Sequence, residues 1–175
     1  MYIFLPGNTK EHKKWGEALR DSFKDENKLM IYYDHWKGDG NIDWNTELNK
    51  IMALDIKEKV YVVGKSAGCI LGLKAQKLGY IDVERYIFIG FPYNWAKQRG
   101  DEVDYLLDNL KTKSLFIQKP KDPVIGYAEL VSLLKAKRTN VDTLEYIRKG
   151  EEDNTHGYED IEYLREEISK YAKKK

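Results

Sequence analysis

The chain has 175 residues, 42% of them hydrophobic, which is the size of one domain with a single substantial core. Its 30 Lys+Arg nearly cancel its 29 Asp+Glu; a formal charge of +1 leaves no net field to gather nucleic acid or an anionic membrane, and neither is expected as a partner. A single cysteine, Cys69, excludes an internal disulfide and a multi-cysteine metal site, and no metal or cofactor is expected.

Six short β-rich runs alternate with stretches of helical period, which argues for an α/β domain over residues 1–175 with helices on both faces of a parallel sheet. Each run is apolar enough to be covered on both faces. The first, 2–5, opens the chain without a basic leader or long apolar core, so no secretory signal is read there. None of the runs approaches the roughly 20 residues that cross a bilayer, and a soluble, cytoplasmic protein is expected. A helical stretch follows with Trp15, Ala18, Leu19 and Phe23 on one face and His12 among Lys13 and Lys14, where it reads as solvated surface. Run 29–33 leads into Asp34-His35-Trp36 and a second stripe of Trp44, Leu48, Ile51 and Met52. Asp34, His35 and Asp39 match no recognised metal-ligand spacing. Runs 60–63 and 86–89 come next; the connector 90–101 carries Phe91, Pro92, Tyr93 and Trp95 and is too short for a separate cap domain. Val103, Leu106, Leu107 and Leu110 form another stripe, followed by run 115–118, the loop Gln118-Lys119-Pro120-Lys121-Asp122-Pro123-Val124, and Leu130, Val131 and Leu134. Run 144–147 precedes Asp153-Asn154-Thr155-His156-Gly157-Tyr158 and a last helix on Ile161, Leu164, Ile168 and Tyr171. That helix ends in Lys173, Lys174 and Lys175, cations that suit a helix C-terminus. Ligands of open parallel sheets gather at the carboxyl ends of the strands, so function is sought in the loops that follow the runs.

The most informative of these loops is Gly64-Lys65-Ser66-Ala67-Gly68, a G-x-S-x-G between a strand and an apolar helical segment. Such a turn is tight enough to strain the serine backbone, and the flanking glycines provide clearance. The turn lifts the Ser66 hydroxyl above the sheet and points the first N–H groups of the next helix at the same place. A phosphate loop is the first competing reading, but it needs another glycine five positions before Gly64, where this chain has Lys59. The second, an ordinary turn with an incidental serine, stays open until partners are found. Cys69 follows within a buried helix and reads as packing, while Lys65 is read as solvated, with attraction of a substrate carboxylate as the alternative.

Serine needs a base to take its proton and a third group to orient that base. Among three histidines, His35 is placed to line a pocket, and His156 sits in a loop beside a glycine and can swing inward. Asp122 is the candidate acid, in a loop stiffened by Pro120 and Pro123. The chain order Ser66, Asp122, His156 is the one described for strand-turn-helix hydrolases.

Through Gly64-Lys65-Ser66-Ala67-Gly68, the Asp122-Pro123 loop and Asn154-Thr155-His156-Gly157, the sequence resembles the α/β-hydrolase family over nearly its whole length. The resemblance implies a three-layer fold with a six-stranded parallel sheet in order 2-1-3-4-5-6, Ser66 as nucleophile, Asp122 as acid and His156 as base. The turn Pro6-Gly7-Asn8 falls where family members supply an oxyanion donor, which implies the backbone N–H groups of Asn8 and Ala67. Two departures stand out: the two antiparallel strands that often open the family's fold are missing, and Pro6 replaces the usual histidine of the first loop. His35, Trp36, Phe91, Tyr93 and Trp95 are candidates for an open-sided apolar substrate site, or for local loop packing. The expected function is a small lidless serine hydrolase, a carboxylesterase in the first place, acting on a small-molecule acyl substrate without a cofactor. A binding or interaction protein that kept the fold is the alternative.

Overall fold

β-Branched and aromatic side chains concentrate in six segments that pair edge to edge, and the longer apolar stripes between them fold back as helices. The computed structural model describes every residue except Asp25, Asp39, Arg138, Asn140 and Lys175, so the readings that involved Asp39 and Lys175 lie outside the described residues. The strands are β1 (Tyr2–Leu5), β2 (Lys28–Met30), β3 (Val60–Lys65), β4 (Val83–Ile89), β5 (Lys113–Gln118) and β6 (Asp142–Glu145). All are parallel, in the order β2-β1-β3-β4-β5-β6. Both faces are covered by helices α1 (Glu11–Ser22), α2 (Trp44–Ala53), α3 (Ala67–Lys77), α4 (Tyr93–Gln98), α5 (Val103–Asp108), α6 (Tyr127–Ala136) and α7 (Ile161–Lys173). No helix among the described residues is long and apolar enough to cross a membrane.

The core is densest at the centre of the sheet, where Phe88 lies 4.8 Å from the ring of Tyr86 and 4.6 Å from that of Phe116. At the edges the expectation of two covered faces fails. β6 has only β5 as a neighbour, its residues are half-buried or exposed, and Ile147 beyond it is 62% exposed. β2 stops at Met30, because after the Ile31 N–H bonds the Phe4 carbonyl the chain peels away into a 3-10 turn at Asp34–Lys37. Tyr33 anchors that departure by donating its hydroxyl to the Pro6 carbonyl at 2.8 Å. β3, by contrast, runs two residues past the apolar segment, since Gly64 and Lys65 stay in register with Phe88 and Ile89 of β4. The helical stripes are also rotated. On α1, Gly16 and Leu19 are buried while Ala18 is exposed, and on α2 Met52 faces solvent. The connector 90–101 is not all loop, for α4 occupies half of it.

α3 packs hard against the end of β1. A carbon added at Gly68 would fall 1.8 Å from the Leu5 carbonyl oxygen and 2.6 Å from that of Pro6. Two backbone groups cannot retreat from such a methyl as a flexible side chain could, so Gly68→Ala should cost about 1–3 kcal/mol or more. Gly38 has open space around it. Thermal melts should therefore show a clear loss for Gly68→Ala and an unchanged midpoint for Gly38→Ala.

Candidate active site

Lys65 ends β3 and Ala67 begins α3, so the chain must turn at Ser66 alone. Ser66 takes φ 51° and ψ −122°, and only Asp55 shares a positive φ among the described non-glycine residues. A conformation of this kind costs on the order of 1–3 kcal/mol and persists only where the surroundings hold it. Here the Ser66 N–H donates to the Ile89 carbonyl at 3.0 Å, and the Ser66 carbonyl accepts from the Cys69 N–H at 2.8 Å. Gly64 supplies the clearance, since a carbon there would meet the backbone of Cys69 at 2.9 Å.

The loop after β5 carries Asp122, and the segment before α7 carries His156. The imidazole Nδ1 lies 2.9 and 2.8 Å from the two Asp122 carboxylate oxygens. Two further donors reach the same carboxylate, the Tyr158 hydroxyl at 2.8 Å and the Val124 N–H at 3.0 Å. Tyr158 is itself positioned: its hydroxyl accepts from the Lys119 N–H at 3.0 Å, and its carbonyl accepts from the Trp15 indole on α1 at 2.6 Å. The other imidazole nitrogen, His156 Nε2, is buried and has no hydrogen-bond partner among the described residues. Ser66 Oγ is thus not bonded to it in this structure. Nucleophile–base bonds are often open without substrate and tighten as the reaction proceeds.

The reading of Lys65 as a solvated flank is overturned. Its side chain is 1% exposed, its ammonium donates to the His156 carbonyl at 2.9 Å, and it sits 4.9 Å from the centre of the Tyr158 ring. β3 turns this side chain inward because it remains paired strand at that position. A second buried lysine, Lys119, lies 5.5 Å from the same ring and donates to the Glu152 carbonyl at 2.8 Å and the Thr155 hydroxyl at 3.2 Å. Its ion pair with Glu151 spans 3.2 Å. Both lysines therefore grip the loop that carries His156.

Burial first, and the Lys65 cation second, lower the pKa of His156, against the opposing pull of Asp122. The same burial takes Lys65 itself down to about 8. His12 is not solvated surface either: its ring packs over Gly7, where an added carbon would meet Nδ1 at 2.3 Å, and burial lowers it to about 3, with Lys65 and His156 adding to the shift. Cys69 is fully buried, its thiol pushed up to about 12, which suits packing and not nucleophilic attack.

The Asn8 turn is held from behind. Its carbonyl accepts from His35 Nε2 at 2.6 Å and Trp36 Nε1 at 3.2 Å, and its side chain bonds the Ile42 N–H and Asn41. Neither the Asn8 nor the Ala67 N–H has a hydrogen-bond partner among the described residues. Trp36 is buried in this support, and Phe91 is fully buried against Phe88 and Phe116, so neither offers the ligand-contacting surface expected of it. The Tyr93 hydroxyl donates to Asp104 at 2.8 Å, while Trp95 meets Trp44 edge-on under Arg99. Local packing thus accounts for most of that set.

Sequence reasoning missed Lys119, Tyr158, His12 and Gly90. One signal was available for His12, which precedes Trp15 by three residues and so shares its helix face. None pointed to Gly90, where a carbon would fall 2.8 Å from His156 Cε1 and 3.2 Å from Lys65 Nζ.

No protein-family model matches the sequence, and comparison with curated proteins finds no match. Solved structures are. An uncharacterized protein from Bacillus cereus ATCC 10987 aligns over 98% of this chain and 58% of its own length, with TM-score 0.66 and 18% identity. This chain therefore spans less than two thirds of that protein. Est1E from Butyrivibrio proteoclasticus, solved with ferulic acid bound, aligns over 98% and 87% with TM-score 0.72 and 14% identity. An esterase from Exiguobacterium antarcticum aligns over 99% and 91% with TM-score 0.69 and 14% identity. At such identities the likeness shows a shared fold.

A histidine held neutral by burial opposes acid. The unfolded chain takes up its proton near 6.5 while the folded chain does not, so stability is full above that pH and declines as the pH falls below it. Replacing His12 with Asn removes one such group. The unfolding free energy from urea titrations between pH 6.5 and about 5 should then fall less steeply than in the wild type, by up to about 1.4 kcal/mol per pH unit.

Proposed function

On this fold, that of the α/β-hydrolases, we propose that the chain is a serine hydrolase that cleaves a small ester by way of an acyl-enzyme. The observation that carries the reading is the strained Ser66 elbow set at the same end of the sheet as a buried Asp122 paired with His156. Strain at a non-glycine residue with no packing purpose is a signature of a functional position.

In this mechanism His156 Nε2 takes the Ser66 proton as Oγ attacks the substrate carbonyl, and Asp122 stabilises the imidazolium that forms. The tetrahedral oxyanion is received by the N–H groups of Asn8 and Ala67, each worth about 3 kcal/mol in the transition state. Collapse releases the alcohol with the proton from His156. Water, deprotonated by the same nitrogen, then frees the acid and restores Ser66. Since Nε2 is the one nitrogen of His156 left unpaired, the acid-paired Nδ1 and the reacting nitrogen are already distinguished. The reading requires Ser66 Oγ and His156 Nε2 to meet on the way to the transition state. The same machinery serves thioesters and amides; a carboxylesterase is the form proposed.

Fluorophosphonate labelling and a panel of chromogenic esters graded by acyl length test this directly. The wild type should label and cleave the short esters, and Ser66→Ala should lose both properties while melting as a folded protein. Asp122→Asn should lower kcat by about 10³- to 10⁴-fold, the scale for loss of the orienting acid in such a triad. Undiminished labelling of Ser66→Ala defeats the assignment. Labelling of the wild type without turnover of any ester would favour the binding-protein alternative.

A further inference from the structure

A lysine with almost no exposed surface and, among the described residues, no carboxylate in ion-pair contact is costly, since an ammonium out of water loses several kcal/mol of solvation unless it is matched. Among the described residues, the Lys65 ammonium makes one hydrogen bond, to the His156 carbonyl, and lies over the face of Tyr158. A leucine or methionine would fill the same space without that penalty. Both of its partners belong to the assembly that orients the imidazole, one being the backbone of His156 itself and the other the tyrosine that bonds Asp122. We propose that Lys65 is a positioning residue for the base: its ammonium fixes the backbone of His156 while Asp122 fixes the ring.

This inference rests on the serine-hydrolase reading and deepens it. Asp122 holds the imidazole at Nδ1, and Lys119 holds the loop at Glu152 and Thr155. Among the described residues, Lys65 is the one that bonds the backbone of His156 itself. Lys65 is well placed for it, because it is the last residue of β3 and the immediate neighbour of Ser66. One residue position thus ties the nucleophile's strand to the base's loop across 91 residues of sequence. The site has little slack, since a carbon at Gly90 would crowd Lys65 Nζ, His156 Cε1 and Tyr158 together.

The charge has a separate effect. The groups that bear on Lys65 are Asp122 and Lys119 from the loop after β5, Cys69 from α3, and Glu159, His156 and Tyr158 from the segment before α7; His12 on α1 feels the same cation. A fixed cation beside His156 disfavours the imidazolium, so removing it should raise the pKa of the base. Loss of the Lys65 proton near pH 8 should in turn weaken the grip on the carbonyl, giving activity an alkaline limb.

Three measurements test the proposal. In Lys65→Met, kcat should fall about 10- to 100-fold with KM little changed, as expected when a reacting group is misplaced without loss of substrate contacts. Its acid limb should move to higher pH and its alkaline limb disappear. Lys65→Gln keeps a donor for the carbonyl and drops the charge, so it should recover much of kcat while keeping the shifted acid limb. The wild-type protein is read without any variant: the His156 imidazole resonances should show a second inflection near pH 8 as Lys65 titrates. Lys65→Met with wild-type kcat and an unmoved acid limb overturns the positioning role, and Lys65→Gln no more active than Lys65→Met overturns the part given to the hydrogen bond. A wild type that neither labels with fluorophosphonate nor cleaves esters defeats the underlying reading instead.

Discussion

A carboxylate taken out of water must be given donors in place of the solvent it loses, and the Asp122 side chain has no exposed surface. Its two oxygens are met by an imidazole, a phenol and a backbone N–H, so the loop after β5, the segment before α7 and the tyrosine within that segment are fixed by a single charge. Tyr158 extends the constraint outward. Through its hydroxyl, carbonyl and ring it joins the Lys119 backbone, the Trp15 indole of α1 and the ammonium groups of Lys65 and Lys119. Four segments far apart in sequence are thereby tied together.

The opposite wall of the site is built from backbone and not from charge. Strands β1 and β3 are adjacent, and the absence of a side chain at Gly68 lets the first turn of α3 sit against the carbonyls of Leu5 and Pro6. That approach sets the start of α3 against the end of β1, and His35 and Trp36 brace the turn that follows through the Asn8 carbonyl. Strain at Ser66 is tolerable because the surrounding pairings are rigid: β3 and β4 stay in register to the last residue before the elbow. Stability and geometry are here the same set of contacts, and two buried lysines are the cost of joining them.

Much of this arrangement can be read from residue order. The six apolar runs, the strand-turn-helix junction at Gly64-Lys65-Ser66-Ala67-Gly68 and the stiffened Pro120–Pro123 loop are local patterns, because alternation, glycine clearance and proline stiffening act within a few residues. Strand ends were less legible. β3 continues through Gly64 and Lys65 only because β4 offers partners there, and β6 lies at an edge where its apolar residues find one neighbour instead of two.

Sequence alone determined which segments pair in parallel alternation and where a serine turn must stand between strand and helix, since hydrophobic periodicity and steric allowance are properties of neighbouring residues. Only the tertiary structure decided that Lys65 is buried and not solvated, that His12 folds over the Gly7 turn, and that Trp36 and Phe91 support the site from within. Whether a polar or aromatic side chain meets water depends on groups brought to it from distant parts of the chain, and the carbonyl that receives the Lys65 ammonium lies 91 residues away.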